Sequence, residues 1–158
     1  MRRLAIDPGG KRTGLALGDD HSRIASPLGA INGVGSGAFA HQLDKQIDLA
    51  GPDALLVGWP VDMNGRRGPS AKASEALALQ LARTTGLPVL LVDERLTTDQ
   101  ANSAMAQSGL THQQKKARRD GLAAVALLGR FWEAGCQGVD PANLPDKAEP
   151  AGDQNTKA

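Results

Sequence analysis

Met1-Arg-Arg-Leu-Ala-Ile-Asp7-Pro8-Gly9-Gly10-Lys11-Arg12-Thr-Gly-Leu-Ala-Leu-Gly18 reads as two short apolar strands joined by a turn, and this hairpin decides the fold. Residues 3 to 7 and 12 to 18 are its arms, and Pro8 to Lys11 connect them. Asp7 ends the first arm, so its carboxylate is held at a sheet edge, where metal-dependent phosphate chemistry can be built. The same acid can instead form an Asx-turn over Pro8-Gly9-Gly10, and the hairpin alone leaves both roles open.

Working outward, Arg23 to Ile31 offers a third strand, interrupted by Pro27, so the chain starts as a meander. Phe39, Leu43, Ile47 and Leu49/Ala50 recur at near-helical spacing up to the breaker Gly51-Pro52. Ala54 to Trp59 is a continuous apolar run of buried-strand length, ended by Pro60 and the turn-rich Asp62-Met63-Asn64-Gly65. Ser70 is placed to cap an alanine- and leucine-rich helix that stops at Gly86. Val89 to Val92 is the next buried strand, delivering Asp93-Glu94-Arg95 at its end. Thr97 with Gln100 forms a capping-box pattern for a helix through about Gln107, closed by Gly109. A final helix runs from near Lys115 to about Glu133. These elements predict an α/β fold: a five-stranded mixed sheet with helices on its faces, in one domain over residues 1–134. From Gly135 the residues lose periodicity, which predicts a flexible acidic tail over residues 135–158.

Composition narrows the classes. The chain has 158 residues, 41% hydrophobic and 22% charged, which suits one globular domain. Its single cysteine, Cys136, allows no intramolecular disulfide, and no Cys/His cluster has zinc spacing. With no signal-peptide core or membrane-length apolar run, a cytoplasmic setting is expected. The net charge of +1 is uneven: residues 1–134 hold 16 basic against 13 acidic side chains. Lys115, Lys116, Arg118 and Arg119 form a dense cluster that can neutralise phosphates or simply solvate a helix start. Only 3% of residues are aromatic, which argues against a base-stacking platform and for recognition through backbone and shape.

Two more acids join Asp7. In the last helix, Ala123, Ala124, Leu127, Leu128 and Phe131 fall on one stripe that also contains Asp120. Burying a carboxylate there costs several kcal/mol, on the order of magnitude, unless a cation or donors compensate. The position equally suits the helix dipole or an arginine pair. Asp93 and Glu94 alternate faces along their strand, so one is structural and the other available for chemistry. Three acids from two strand ends and one helix could converge on Mg2+ or Mn2+ and hydrolyse a phosphodiester. Lys11, Arg12, Arg66, Arg67 and Arg95 lie near these positions or in the loop after the fourth strand and could hold substrate phosphates.

Four blocks, Asp7-Pro-Gly-Gly-Lys-Arg-Thr-Gly-Leu-Ala-Leu17, Val57-Gly-Trp-Pro60 with Asn64-Gly65, Val92-Asp-Glu-Arg-Leu-Thr-Thr98 and Asp120-Gly-Leu-Ala-Ala124, resemble the YqgF family, also called RuvX, over about Met1 to Trp132. The resemblance implies an RNase H-like fold and a metal-dependent nuclease whose acids fall on Asp7, Glu94 and Asp120. It also implies a nucleic-acid partner, either the 5' end of precursor 16S ribosomal RNA or branched DNA, as in Holliday junction resolvases. The departures are Trp59, where leucine is usual, and Gly10, where threonine is commoner. A junction is two-fold symmetric, so a homodimer would favour the resolvase reading. A catalytically silent RNA-binding or assembly module is the alternative from another class. An actin-like ATPase would need a second domain that this length does not supply, and Gly-Gly-Lys-Arg-Thr is not a Walker A motif.

Overall fold

The computed structural model of the chain describes residues 1–95 and 112–144, with the backbone alone for 112–120. The expected hairpin is present: β1 (Arg2–Asp7) pairs antiparallel with β2 (Arg12–Asp19), Asp7 lying opposite Gly14. Next comes β3 (Ala25–Asn32), antiparallel to β2 with an irregular register at Leu15/Ala16. Pro27 is accommodated because β3 is an outer strand, where a missing N–H breaks no ladder.

The chain then crosses over. Helix α1 (Phe39–Ala50) leads to β4 (Ala54–Trp59), parallel to β1, and α2 (Pro69–Thr85) leads to β5 (Val89–Asp93), parallel to β4. Both helices stop where a glycine turns left-handed, Gly51 at φ 55° and Gly86 at φ 69°, as a side chain resists doing. Ser70 does not cap α2: the cap lies two residues earlier, at Gly68, with Pro69 in the first turn. Proline's fixed φ and missing N–H suit that first turn. The last helix, α3 (His112–Glu133), begins three residues before the expected Lys115. The sheet order is β3-β2-β1-β4-β5.

Strand alternation divides the core in two. Leu4, Ile6, Leu55, Val57 and Leu91 face α1 and α2, while Ala5, Ala16, Leu56 and Val92 face α3. Four residues of the stripe read from the sequence lie on the buried face of α3: Ala124, Leu127, Leu128 and Phe131 are at most 1% exposed, while Ala123 is half-buried. Each of the large side chains contributes about 1.5–3 kcal/mol through this burial. A polar clamp fixes the C-terminal end of α3. Asp20 accepts hydrogen bonds from Arg3 Nε (2.8 and 3.0 Å) and Trp132 Nε1 (2.9 Å), and the Arg3 guanidinium lies 4.5 Å from the Phe131 ring centre.

Residues 135–144, the described part of the tail expected from Gly135, pack on the sheet in part. Val139 bridges Leu91 antiparallel, with N–H···O distances of 2.9 and 2.8 Å, and the 3-10 turn Pro141–Asn143 follows with Pro141 buried. The physical reason is the outer edge of β5, whose unpaired backbone groups recruit a partner that hydropathy patterns do not reveal. The capping box at Thr97 and Gln100, and the tail after Leu144, lie outside the described residues. Among those described, no helix is long and apolar enough to cross a membrane.

Candidate active site

Asp7 and Glu94 end up on one face because their strands are parallel neighbours of β4 and both continue the α3-facing set, Ala5 then Asp7, Val92 then Glu94. Their carboxyl groups meet in a side-chain hydrogen bond across β4. Burial is the largest cause pushing the Glu94 carboxyl up to about 9, followed by that hydrogen bond and by the charges of Asp7 and Asp93. The acids sit at the carboxyl ends of β1 and β5, where open α/β sheets place their chemistry. A concavity of about 520 Å³, lined by Asp44, Asp48 and Thr84 among others, lies at the opposite end of the sheet and away from them.

Asp93, one residue before Glu94, faces the other way and does different work. Its Oδ1 accepts from the Arg95 amide (2.9 Å) and its Oδ2 from Arg95 Nε (2.7 Å). Burial pushes the Asp93 carboxyl up, but the Arg95 donors outweigh it and leave Asp93 below the usual carboxylate range. Arg95 is therefore engaged by its own strand end.

Arg67 is engaged as well. Its Nε and terminal nitrogen bind the two oxygens of Glu75 at 2.5 and 2.9 Å, and Trp59 Nε1 donates to the same Glu75 at 3.0 Å. The Arg67 guanidinium holds the Glu75 carboxyl low, with both side chains largely buried. Trp59, the departure from the usual leucine, thus contributes a donor that leucine lacks. Nothing in the sequence pattern signals Glu75, which lies among small residues of α2. Asp62 Oδ1 accepts from the amides of Asn64 (2.9 Å) and Arg66 (2.7 Å), which shapes the loop and leaves the Arg66 side chain exposed.

Lys11 and Arg12 project from an ordered hairpin turn. Gly33 and Val34 donate their amides to Lys11 O (2.9 Å) and Gly9 O (3.0 Å), and the Gly9 amide reaches Thr13 Oγ1 (3.5 Å). Both basic side chains are exposed. Asp120, Lys115, Lys116, Arg118 and Arg119 belong to α3, but their side chains lie outside the described residues. Among the described residues no three His, Cys, Asp or Glu side chains form a group able to hold a metal ion. The two that do meet form a hard-oxygen pair, and hard oxygens suit a divalent cation.

A five-stranded mixed sheet with strand-end acids facing a covering helix defines an RNase H-like α/β protein, and solved resolvases share the fold. Thermus thermophilus RuvC in complex with Holliday junction substrate superposes with a TM-score of 0.53 at 16% identity, covering 87% of this chain and 98% of that one. The fowlpox virus Holliday junction resolvase superposes with a TM-score of 0.53 at 12% identity, covering 87% and 100%. Residues 1–134 match the family described as "RuvX: Holliday junction resolvase", and the chain belongs to that family. A protein of Acidiphilium cryptum named "Putative pre-16S rRNA nuclease" is 38% identical over 130 residues, 80% of each chain. One of the same name from Anaeromyxobacter sp. is 39% identical over 137 residues, 81% of this chain and 93% of its own.

Proposed function

We propose that this protein is a cytoplasmic nuclease that hydrolyses nucleic-acid phosphodiesters with the help of Mg2+ or Mn2+, acting on the 5' end of precursor 16S ribosomal RNA. The carrying observation is the Asp7–Glu94 pair, two carboxyl groups drawn together at the sheet end on the α3 face. Asp120 is the third proposed member. These three would hold the cation, which when bound supplies Lewis-acid polarisation of the scissile phosphate and the attacking water. Without the cation Glu94 keeps its proton at neutral pH, and that proton must leave to solvent before both carboxylates could serve as ligands. Lys11, Arg12 and Arg66 are exposed and engage substrate phosphates, while Arg67 and Arg95 brace the loop and the strand end that carry the site. Support for the ribosomal substrate comes from the names of relatives at 38–39% identity, which outrank solved resolvases at 12–16%.

Resolution of a four-way DNA junction is the second reading, favoured by the family description and by the resolvase fold. The test is cleavage of precursor 16S ribosomal RNA and of a synthetic four-way junction by wild type, Asp7→Asn, Glu94→Gln and Asp120→Asn, with Mg2+, Mn2+ or chelator. Each substitution is expected to lower the metal-dependent rate at least about 100-fold. Cleavage that survives chelation or all three substitutions refutes the mechanism, and binding without turnover in every condition points to a silent module.

A further inference from the structure

Between the two acids, β4 presents no side chain at all. One residue beyond the Ile6 and Val57 partners, Gly58 lies beside Asp7, and on its other side it pairs with Val92, two residues before Glu94. A Cβ placed on Gly58 would stand 2.0 Å from Glu94 Oε1, 2.9 Å from Glu94 Cδ and 3.1 Å from Leu127 Cδ1. The space where any other residue would begin its side chain is thus occupied by the Glu94 carboxyl group. Backbone geometry does not explain the glycine, since Gly58 is absent from the glycines with positive φ. Nor does packing against α3, because Leu127 Cδ1 is a flexible terminus that can yield a few tenths of an ångström.

We infer that Gly58 is a positioning residue: its missing side chain opens the lane through which Glu94 crosses β4 to reach Asp7. This rests on the reading of Asp7 and Glu94 as the catalytic pair. Even a methyl group must push the Glu94 carboxyl out of the lane, because a Cβ does not approach a non-bonded oxygen to 2.0 Å. The group that moves is the end of a flexible side chain, so the fold survives while the site comes apart. A change that costs little stability therefore costs much function.

The experiment compares wild type, Gly58→Ala, Glu94→Asp and the double variant for Mn2+ affinity, read from the electron paramagnetic resonance of free Mn2+, and for thermal unfolding. Gly58→Ala is expected to melt within a few degrees of wild type yet bind Mn2+ about 10- to 100-fold more weakly. Glu94→Asp alone also weakens binding, but in the Gly58→Ala background it restores part of the affinity, because the shorter acid clears the methyl group. Unchanged Mn2+ affinity in Gly58→Ala, or losses that simply multiply in the double variant, overturns the inference. A metal-free crystal structure of Gly58→Ala separates it from the nuclease reading. Glu94 turned away from Asp7 upholds the lane even if wild type neither binds Mn2+ nor cleaves, and Glu94 still bonded to Asp7 refutes it.

Discussion

Replacing Glu94 with glutamine is expected to make the metal-free protein more stable above neutral pH, although it removes a residue of the site. Burial and the Asp7 contact push the Glu94 carboxyl from its ordinary 4.5 up to about 9. In the unfolded chain the group returns to its ordinary value, so between these two values the folded state keeps a proton that the unfolded state has lost. Stability from this group is complete below about pH 4.5 and drains away as pH rises toward about 9. One proton is worth at most about 1.4 kcal/mol per pH unit. Glu94 keeps some solvent contact, so ~1 kcal/mol per unit is the working figure. Between about pH 6 and about pH 8 the wild type therefore loses ~2 kcal/mol relative to Glu94→Gln, whose carboxamide N–H can donate to Asp7 throughout. Urea unfolding at several pH values in chelator measures the difference directly. Mn2+ favours the ionised acid, so its stabilising effect on wild type grows with pH, while that on the variant does not. Parallel pH profiles for the two proteins would refute the proton kept by Glu94.

Three other outcomes follow from the geometry. Glu75→Gln leaves the largely buried Arg67 guanidinium without its counter-charge, and is expected to cost about 2–3 kcal/mol and lower the melting temperature by roughly 5–10 °C. Val139→Pro removes the amide that donates to Leu91 O, so hydrogen exchange at the Leu91 amide accelerates and stability falls by about 1–3 kcal/mol, against no change if the segment were loose. Arg66→Ala, at an exposed side chain, weakens binding to RNA without altering the fold and reduces the slope of log affinity against log salt by about 1. An unchanged slope would show that Arg66 faces only solvent.

Much of this was legible because two periodicities carry it. The hairpin, the parallel strands and the α3 stripe each announce their buried face, and alternation at Asp93-Glu94 announces that two adjacent acids differ in role. The arginines of the loop and strand end were not separable by sequence: Arg66 and Arg67 are neighbours, yet one is exposed and the other is tied to a glutamate eight positions on. Such pairings depend on the tertiary approach of α2 to its preceding loop, which no local pattern encodes. Ser70 was misassigned because a capping-competent residue stood next to a proline that suits the first turn as well. Gly58 did leave a mark, a glycine inside an otherwise apolar strand, which is the usual sign of a close approach.

The bridge between Val139 and Leu91 has a bearing on chemistry rather than only on stability. It grips β5 along the side that β4 does not touch, so the strand is held from both edges against sliding lengthwise. A slip of one residue would turn Glu94 away from Asp7 and bring Asp93, with its attached arginine, toward the α3 face. The family match ends at residue 134. The latch that keeps Glu94, the proposed ligand, in register thus comes from a stretch that a boundary drawn on similarity alone would cut away.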